Sequence, residues 1–155
     1  MKVSGSQVID APREAVFNAI CDPHMLLEVI PGCQQVSQVS ADEYHARIAL
    51  RLPAIVGTYD TSVKLLSAEA PAFGELEGRM VGRAGTISGR AAFRLTEMPT
   101  ESHAETLVEY VGTAIITGPL ARLDSRFIEG IVRSVVAEGL TRLSDRLQRV
   151  PAATG

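Results

Sequence analysis

The sequence predicts an α+β fold: a seven-stranded, curved antiparallel sheet around one long C-terminal helix, with two short helices between the first and second strands. Three observations carry that prediction. Six stretches between residues 33 and 116 alternate apolar and polar side chains, the pattern of strands with one face in a core and one in water. Short turn-forming clusters separate them, so they are antiparallel neighbours. Finally, apolar residues from Leu120 to Val150 recur at steps of mostly three, four or seven, the period of an amphipathic helix.

Residues 3–10 read as the first strand, with Val3 and Val8 bordering polar positions. Asp10-Ala11-Pro12 opens a short helix with Val16, Phe17 and Ile20 on its apolar face, and Pro12 suits a first helical position because its missing N–H is not needed there. Asp22-Pro23 breaks that helix. A second one carries Met25, Leu26, Leu27 and Ile30, and Pro31-Gly32 ends it. Residues 33–40 pair with 43–52 around Ala41-Asp42-Glu43, and in the latter strand Tyr44, Ala46, Ile48, Leu50 and Leu52 face inward. Pro53 to Gly57 connects to a strand whose inner residues are Tyr59, Thr61, Val63 and Leu65. Pro71 to Gly74 turns the chain, and Leu76, Gly78 and Met80 follow on the inner face. Beyond a loop around Gly82 and Gly85 come Gly89, Ala91, Phe93 and Leu95, then a turn over Pro99 to Ser102. The last strand turns Val108, Tyr110, Gly112, Ala114 and Ile116 inward. The terminal helix then runs from Pro119 to Val150, roughly 48 Å at ~1.5 Å per residue. It tolerates Gly130 and Gly139, each costing about 1 kcal/mol relative to alanine, and Pro151 stops it. The expectation is one domain over residues 1–150 and a short flexible tail over 151–155.

Composition narrows the function. With 46% hydrophobic and 21% charged residues in 155, the chain builds a core and is not disordered. A net charge of −3, interspersed charges and no tryptophan speak against nucleic-acid binding. Cys21 and Cys33, with no apolar leader ahead of them, read as free thiols. No run approaches the ~20 apolar residues of a membrane span, so a cytoplasmic protein is expected.

Every inward sheet position is apolar, aromatic, glycine or threonine, while charged side chains fall outward. Ala46, Thr61, Gly78, Gly89, Ala91, Gly112 and Ala114 are small. They either leave an apolar cavity suited to a small molecule or let sheet and helix close over a filled core. The glycines at 74, 78, 82, 85 and 89 are flanked by strands and lack the helix N-terminus that a phosphate loop needs; they read as hairpin and bulge glycines. His24, His45 and His103 are widely separated, and no His/Cys/Asp/Glu set has metal-ligand spacing. Neither thiol has an identifiable base, and Glu75 and Glu77 point to water. No catalytic and no metal-binding residue is expected.

Several motifs resemble those of a known family. Ala11-Pro12-Arg13-Glu14-Ala15-Val16-Phe17, Asp22-Pro23 and Ile30-Pro31-Gly32-Cys33 are similar to the signature of the carbon monoxide dehydrogenase G-subunit (CoxG) family, within the START-like superfamily. Val56-Gly57-Thr58-Tyr59 and Gly118-Pro119-Leu120-Ala121-Arg122-Leu123-Asp124-Ser125-Arg126 extend the likeness, which covers about residues 2 to 148. The resemblance implies the helix-grip fold with a hydrophobic ligand tunnel between sheet and helix. It also implies service to a molybdenum hydroxylase-type dehydrogenase, in recruiting it to the membrane and handling a lipophilic quinone. Two departures stand out. Phe17 replaces a frequent tryptophan, and the chain ends at Pro151-Ala152-Ala153-Thr154-Gly155 where many members continue to a membrane anchor. Transient, peripheral contact with the inner face of the membrane is therefore expected rather than permanent attachment.

The expected function is a non-catalytic carrier of a lipophilic molecule such as an isoprenoid quinone, with no cofactor beyond a bound quinone or lipid. Tyr59, Leu76, Met80, Phe93, Tyr110, Ala114, Phe127, Ile131 and Val135 are the expected lining, with Tyr59 and Tyr110 orienting a head group. Two alternatives stay open: a START-like cyclase or hydrolase, which needs an acid, base or metal inside the cavity, and a docking factor that carries nothing.

Overall fold

The six strands that follow the short helices pair in chain order, because each turn between them is too short for anything but an antiparallel return. In the computed structural model, which describes residues 1–149, these are β2 (Cys33–Ser40), β3 (Glu43–Leu52), β4 (Ile55–Glu69), β5 (Phe73–Gly82), β6 (Gly85–Pro99) and β7 (Ala104–Thr117). The first strand, β1 (Lys2–Ile9), pairs with β7, so the sheet order is β1-β7-β6-β5-β4-β3-β2. Helices α1 (Arg13–Ile20) and α2 (Pro23–Val29) carry the chain from one sheet edge to the other. α3 (Ser125–Arg149) lies along β1 and α2. The tail predicted for 151–155, and Val150, lie outside the described residues.

The predicted inward phase holds along the strands. Ile48, Tyr59, Phe93, Leu95 and Val108 are buried, while Lys64, Arg79, Arg90, Arg94 and Glu109 on the alternate positions are exposed. β2 and β3 have the predicted boundaries, and the first strand is shifted by one residue. β4 starts at Ile55 rather than after Gly57, since the β3–β4 turn needs only Pro53 and Ala54, the latter with φ 64°. Phe73 and Gly74 likewise belong to β5, not to a turn. Pro12 stands one place before helix α1, in an extended conformation (φ −67°, ψ 153°) that proline's fixed φ allows equally.

The largest departure concerns the terminal helix. Gly118, at φ 82°, turns the chain out of β7, and Pro119–Arg122 forms a single 3-10 turn. Leu123 is extended (φ −75°, ψ 150°), and Asp124 accepts a hydrogen bond at Oδ1 from the Arg126 N–H at 2.8 Å. That is an N-cap interaction, so the helix proper begins at Ser125 and is 25 residues long, about 37 Å rather than 48 Å. Leu120 and Leu123 keep three-residue spacing in the turn, which is why periodicity alone merged the two elements.

The two helix glycines differ. A Cβ on Gly139 would meet the Val29 carbonyl oxygen at 3.6 Å, ordinary contact with the end of α2. One on Gly130 would meet nothing within 4 Å, so Gly130 makes no close approach that demands glycine. Gly130→Ala is expected to stabilise the fold by about 1 kcal/mol through helix propensity alone, read as a higher denaturation midpoint. An unchanged or lower midpoint would contradict this account of the position.

Candidate functional site

Two separate clusters fill the space between sheet and helices. One joins Ile9, Val16, Phe17, Val29, Phe93, Leu95, Val108 and Leu143, with Leu76, Tyr110 and Leu140 packed against it. The other joins Ile55, Tyr59 and Leu120, with Leu50, Met80, Ile87, Ile116, Leu123 and Ile131 around it. The rows of the sheet between them are poor in side chains. Across β4 to β7 one row reads Val63, Gly78, Gly89, Ala114, and the next, from β5 to β1, reads Leu76, Ala91, Gly112, Val3. Val132, Val135 and Val136 of α3 are likewise in neither cluster and only half-buried. The small residues thus form the floor of a gap between two plugs.

The aromatic side chains help to keep that gap clear. Phe93 and Tyr110 face each other across β6 and β7, and each sits beside a glycine on its other flank: Gly74 on β5 and Gly5 on β1. A Cβ on Gly5 would lie 2.6 Å from Tyr110 Oη, and one on Gly74 would overlap the Phe93 ring. A Cβ on Gly82 would likewise stand 2.8 Å from the Tyr59 ring. All three rings therefore lie flat over glycines, along the sheet instead of upright into the gap.

Polar groups inside are few. Tyr59 is 1% exposed, and neither its Oη nor Thr61 Oγ1, two residues along on the same face of β4, has a hydrogen-bond partner. Leaving such a buried group unpaired costs roughly 1–3 kcal/mol. Burial holds the Tyr59 phenol above its ordinary pKa, so it stays protonated and is available as a donor. Burial also raises Tyr110, with Arg133 opposing the shift. Tyr44 is satisfied, donating to the Cys21 carbonyl at 2.7 Å. Burial raises both Cys21 and Cys33, with a backbone hydrogen bond to Gln35 opposing it at Cys33, so neither thiol is activated as a nucleophile. The inward rows of the middle strands carry no carboxylate and no imidazole.

The nine expected lining residues divide between several places. Tyr59, Met80 and Ile131 meet in the second cluster; Leu76, Phe93 and Tyr110 meet at the first. Val135 borders a depression of about 490 Å³ with Pro31, Gly32, Cys33 and the Ala49–Leu52 end of β3. Phe127 is 43% exposed, because the break at Leu123 resets the helix phase. Ala114 borders, with Gly78 and Gly89, a groove of about 840 Å³ that also carries Lys64, Arg79 and Arg90. That groove lies on the outer face of the sheet, along the cross-strand row of Lys64, Glu77 and Arg90, so a reading of the inward positions alone missed it. Thr61, the second unpartnered hydroxyl, was missed as a site residue. Its lone polar group on an otherwise apolar face was the available signal. Asp10, His103 and Glu105 also converge, against the expectation that no metal-type set exists, since sequence spacing cannot show what β1 and β7 bring together.

No curated protein matches the sequence significantly. Among solved structures, a conserved protein from Geobacillus kaustophilus superposes with a TM-score of 0.88 at 21% identity, covering 96% of each chain. A START superfamily protein from Mycobacterium smegmatis gives 0.74 at 8% identity over 96% of this chain and 97% of its own. A protein from Chromobacterium violaceum gives 0.70 at 17% over 95% and 96%. Similarity this low in sequence shows the fold, which is START-like. None of the described helices is long and apolar enough to cross a membrane. The sequence profile of the carbon monoxide dehydrogenase G-subunit (CoxG) family matches residues 5–148, nearly the whole of the described fold, and the chain belongs to that family.

Proposed function

We propose that the protein carries a lipophilic molecule with a polar head, an isoprenoid quinone, between the sheet and α3, and hands it to a molybdenum hydroxylase-type dehydrogenase from a cytoplasmic position with transient membrane contact. The observation that carries the reading is the buried, unpartnered Tyr59 Oη, with a second unpartnered hydroxyl, Thr61 Oγ1, two residues along the same strand. A ligand carbonyl reaching these two donors would remove their desolvation penalty, while an apolar tail runs over the floor of Ala91, Gly112 and Gly89. Family membership supports the partner: the family takes its name from a component of carbon monoxide dehydrogenase.

Tyr59→Phe separates this role from a filled structural core. The variant is expected to be more stable than the parent when empty, by about 1 kcal/mol, because an unpaired hydroxyl is gone. It is expected to bind a short-chain quinone about tenfold more weakly by calorimetry, one hydrogen bond's worth. Native mass spectrometry of the parent supplies the direct test. A protein that retains no lipid after purification and gives no heat with quinones is not a carrier, and the docking-factor reading then takes its place.

A further inference from the structure

The end of β1, the β6–β7 turn and the start of β7 bring Asp10 together with two side chains from the far end of the sequence, His103 and Glu105. His103 Nε2 lies 2.8 Å from Asp10 Oδ1, and a Glu105 carboxylate oxygen completes a set of three ligand-type atoms all within 4.8 Å of one another. It is the one such group of three among the described residues. We propose that Asp10, His103 and Glu105 form a binding site for a divalent transition-type cation, with Zn²⁺ as the best match.

The chemistry favours a cation of this class. Two carboxylates held this close repel each other unless positive charge lies between them, and of the two only Asp10 lies within ion-pair distance of His103. One imidazole with two carboxylates suits zinc or cobalt better than calcium or magnesium, which prefer all-oxygen shells. Three protein ligands leave a fourth, open position for water.

The surroundings can hold the ligands in place. His103 Nδ1 lies 2.8 Å from Ser102 Oγ and 3.3 Å from Thr100 Oγ1, and hydroxyls either donate or accept. The ring can therefore carry its proton on Nδ1 when Nε2 is given to a metal. Thr100 also fixes the turn, with its Oγ1 donating to the His103 carbonyl at 2.7 Å and its N–H donating to the same oxygen at 2.8 Å. Asp10 Oδ2 accepts from Gln148 Nε2 at 3.0 Å, and the Asp10 N–H donates to Ser144 Oγ at 3.2 Å. A cation here would pin the far end of α3 to the sheet through Asp10. The site is separate from the gap between sheet and helix, and the proposal does not depend on the carrier reading.

The test is a Zn²⁺ titration of the full chain by calorimetry, paired with Co²⁺ visible absorption, which distinguishes a tetrahedral site from loose surface association. One saturable site is expected, with a rise in the thermal midpoint on adding Zn²⁺. Asp10→Asn and His103→Ala should abolish both effects, and Gln148→Ala should weaken binding about tenfold as the loss of a ligand-orienting partner. His45→Ala, at an exposed histidine beside Glu43, should change nothing. Both ligand positions are partly exposed, so circular dichroism is expected to confirm that the variants fold. No saturable heat in the parent, or binding that survives His103→Ala, overturns the proposal.

Discussion

Leu143→Ala is expected to lower stability by about 3 kcal/mol and the thermal midpoint by roughly 6–12 °C. Leu143 is 3% exposed and sits in the first cluster with Ile9, Val16, Phe17, Val29 and Leu95, where the C-terminal half of α3 meets both short helices and the sheet. Truncation removes transfer free energy and leaves a cavity that packed neighbours from four elements close only in part. Phe127→Ala, at an exposed position on the same helix, should cost far less, within about 1 kcal/mol. Denaturation of the two variants side by side decides the matter. If both are equally mild, the far half of α3 does not seal the core.

Gly32→Ala is expected to cost about 2–4 kcal/mol, unusually much for an exposed loop position. Gly32 has φ 77°, a region where a Cβ costs roughly 1–2 kcal/mol. Its Cβ would also overlap the Ala49 carbonyl oxygen, where Gly32 already accepts a hydrogen bond from the Ala49 N–H at 2.8 Å. Relief means pulling the loop off β3 and widening the depression beside Val135. A lower denaturation midpoint with faster amide exchange at Ala49 is the expected signature. Gly139→Ala, a helical position with ordinary contact distance, is the control that should be tolerated.

The strand alternation was legible because each strand has one wet face: the period of two fixed the inner residues of β3 to β7, and β2 and β3 matched to the residue. The break before α3 was less so. Leu120, Leu123 and Phe127 keep helical spacing across it, and only Asp124-Ser125, good capping residues, marked the true start. The lining was legible in character but not in place. Alternation says that Tyr59, Phe93 and Tyr110 face inward; it does not say that each ring lies down over a glycine, since that depends on cross-strand register. The Asp10–His103–Glu105 convergence was illegible for a related reason: it exists only because the first strand returns to pair with the last.

The glycines beneath the aromatic rings make the interior adjustable from outside it. Gly5, Gly74 and Gly82 support rings rather than offering side chains to a guest, yet each sets how high its ring must stand. Replacing one with a larger residue would raise a neighbouring ring into the gap and shorten the guest that fits, with every lining side chain unchanged. For a carrier, selectivity would then be encoded at positions that contact no cargo. Differences in cargo among related chains would be sought first beneath the rings, not among the residues that line the gap.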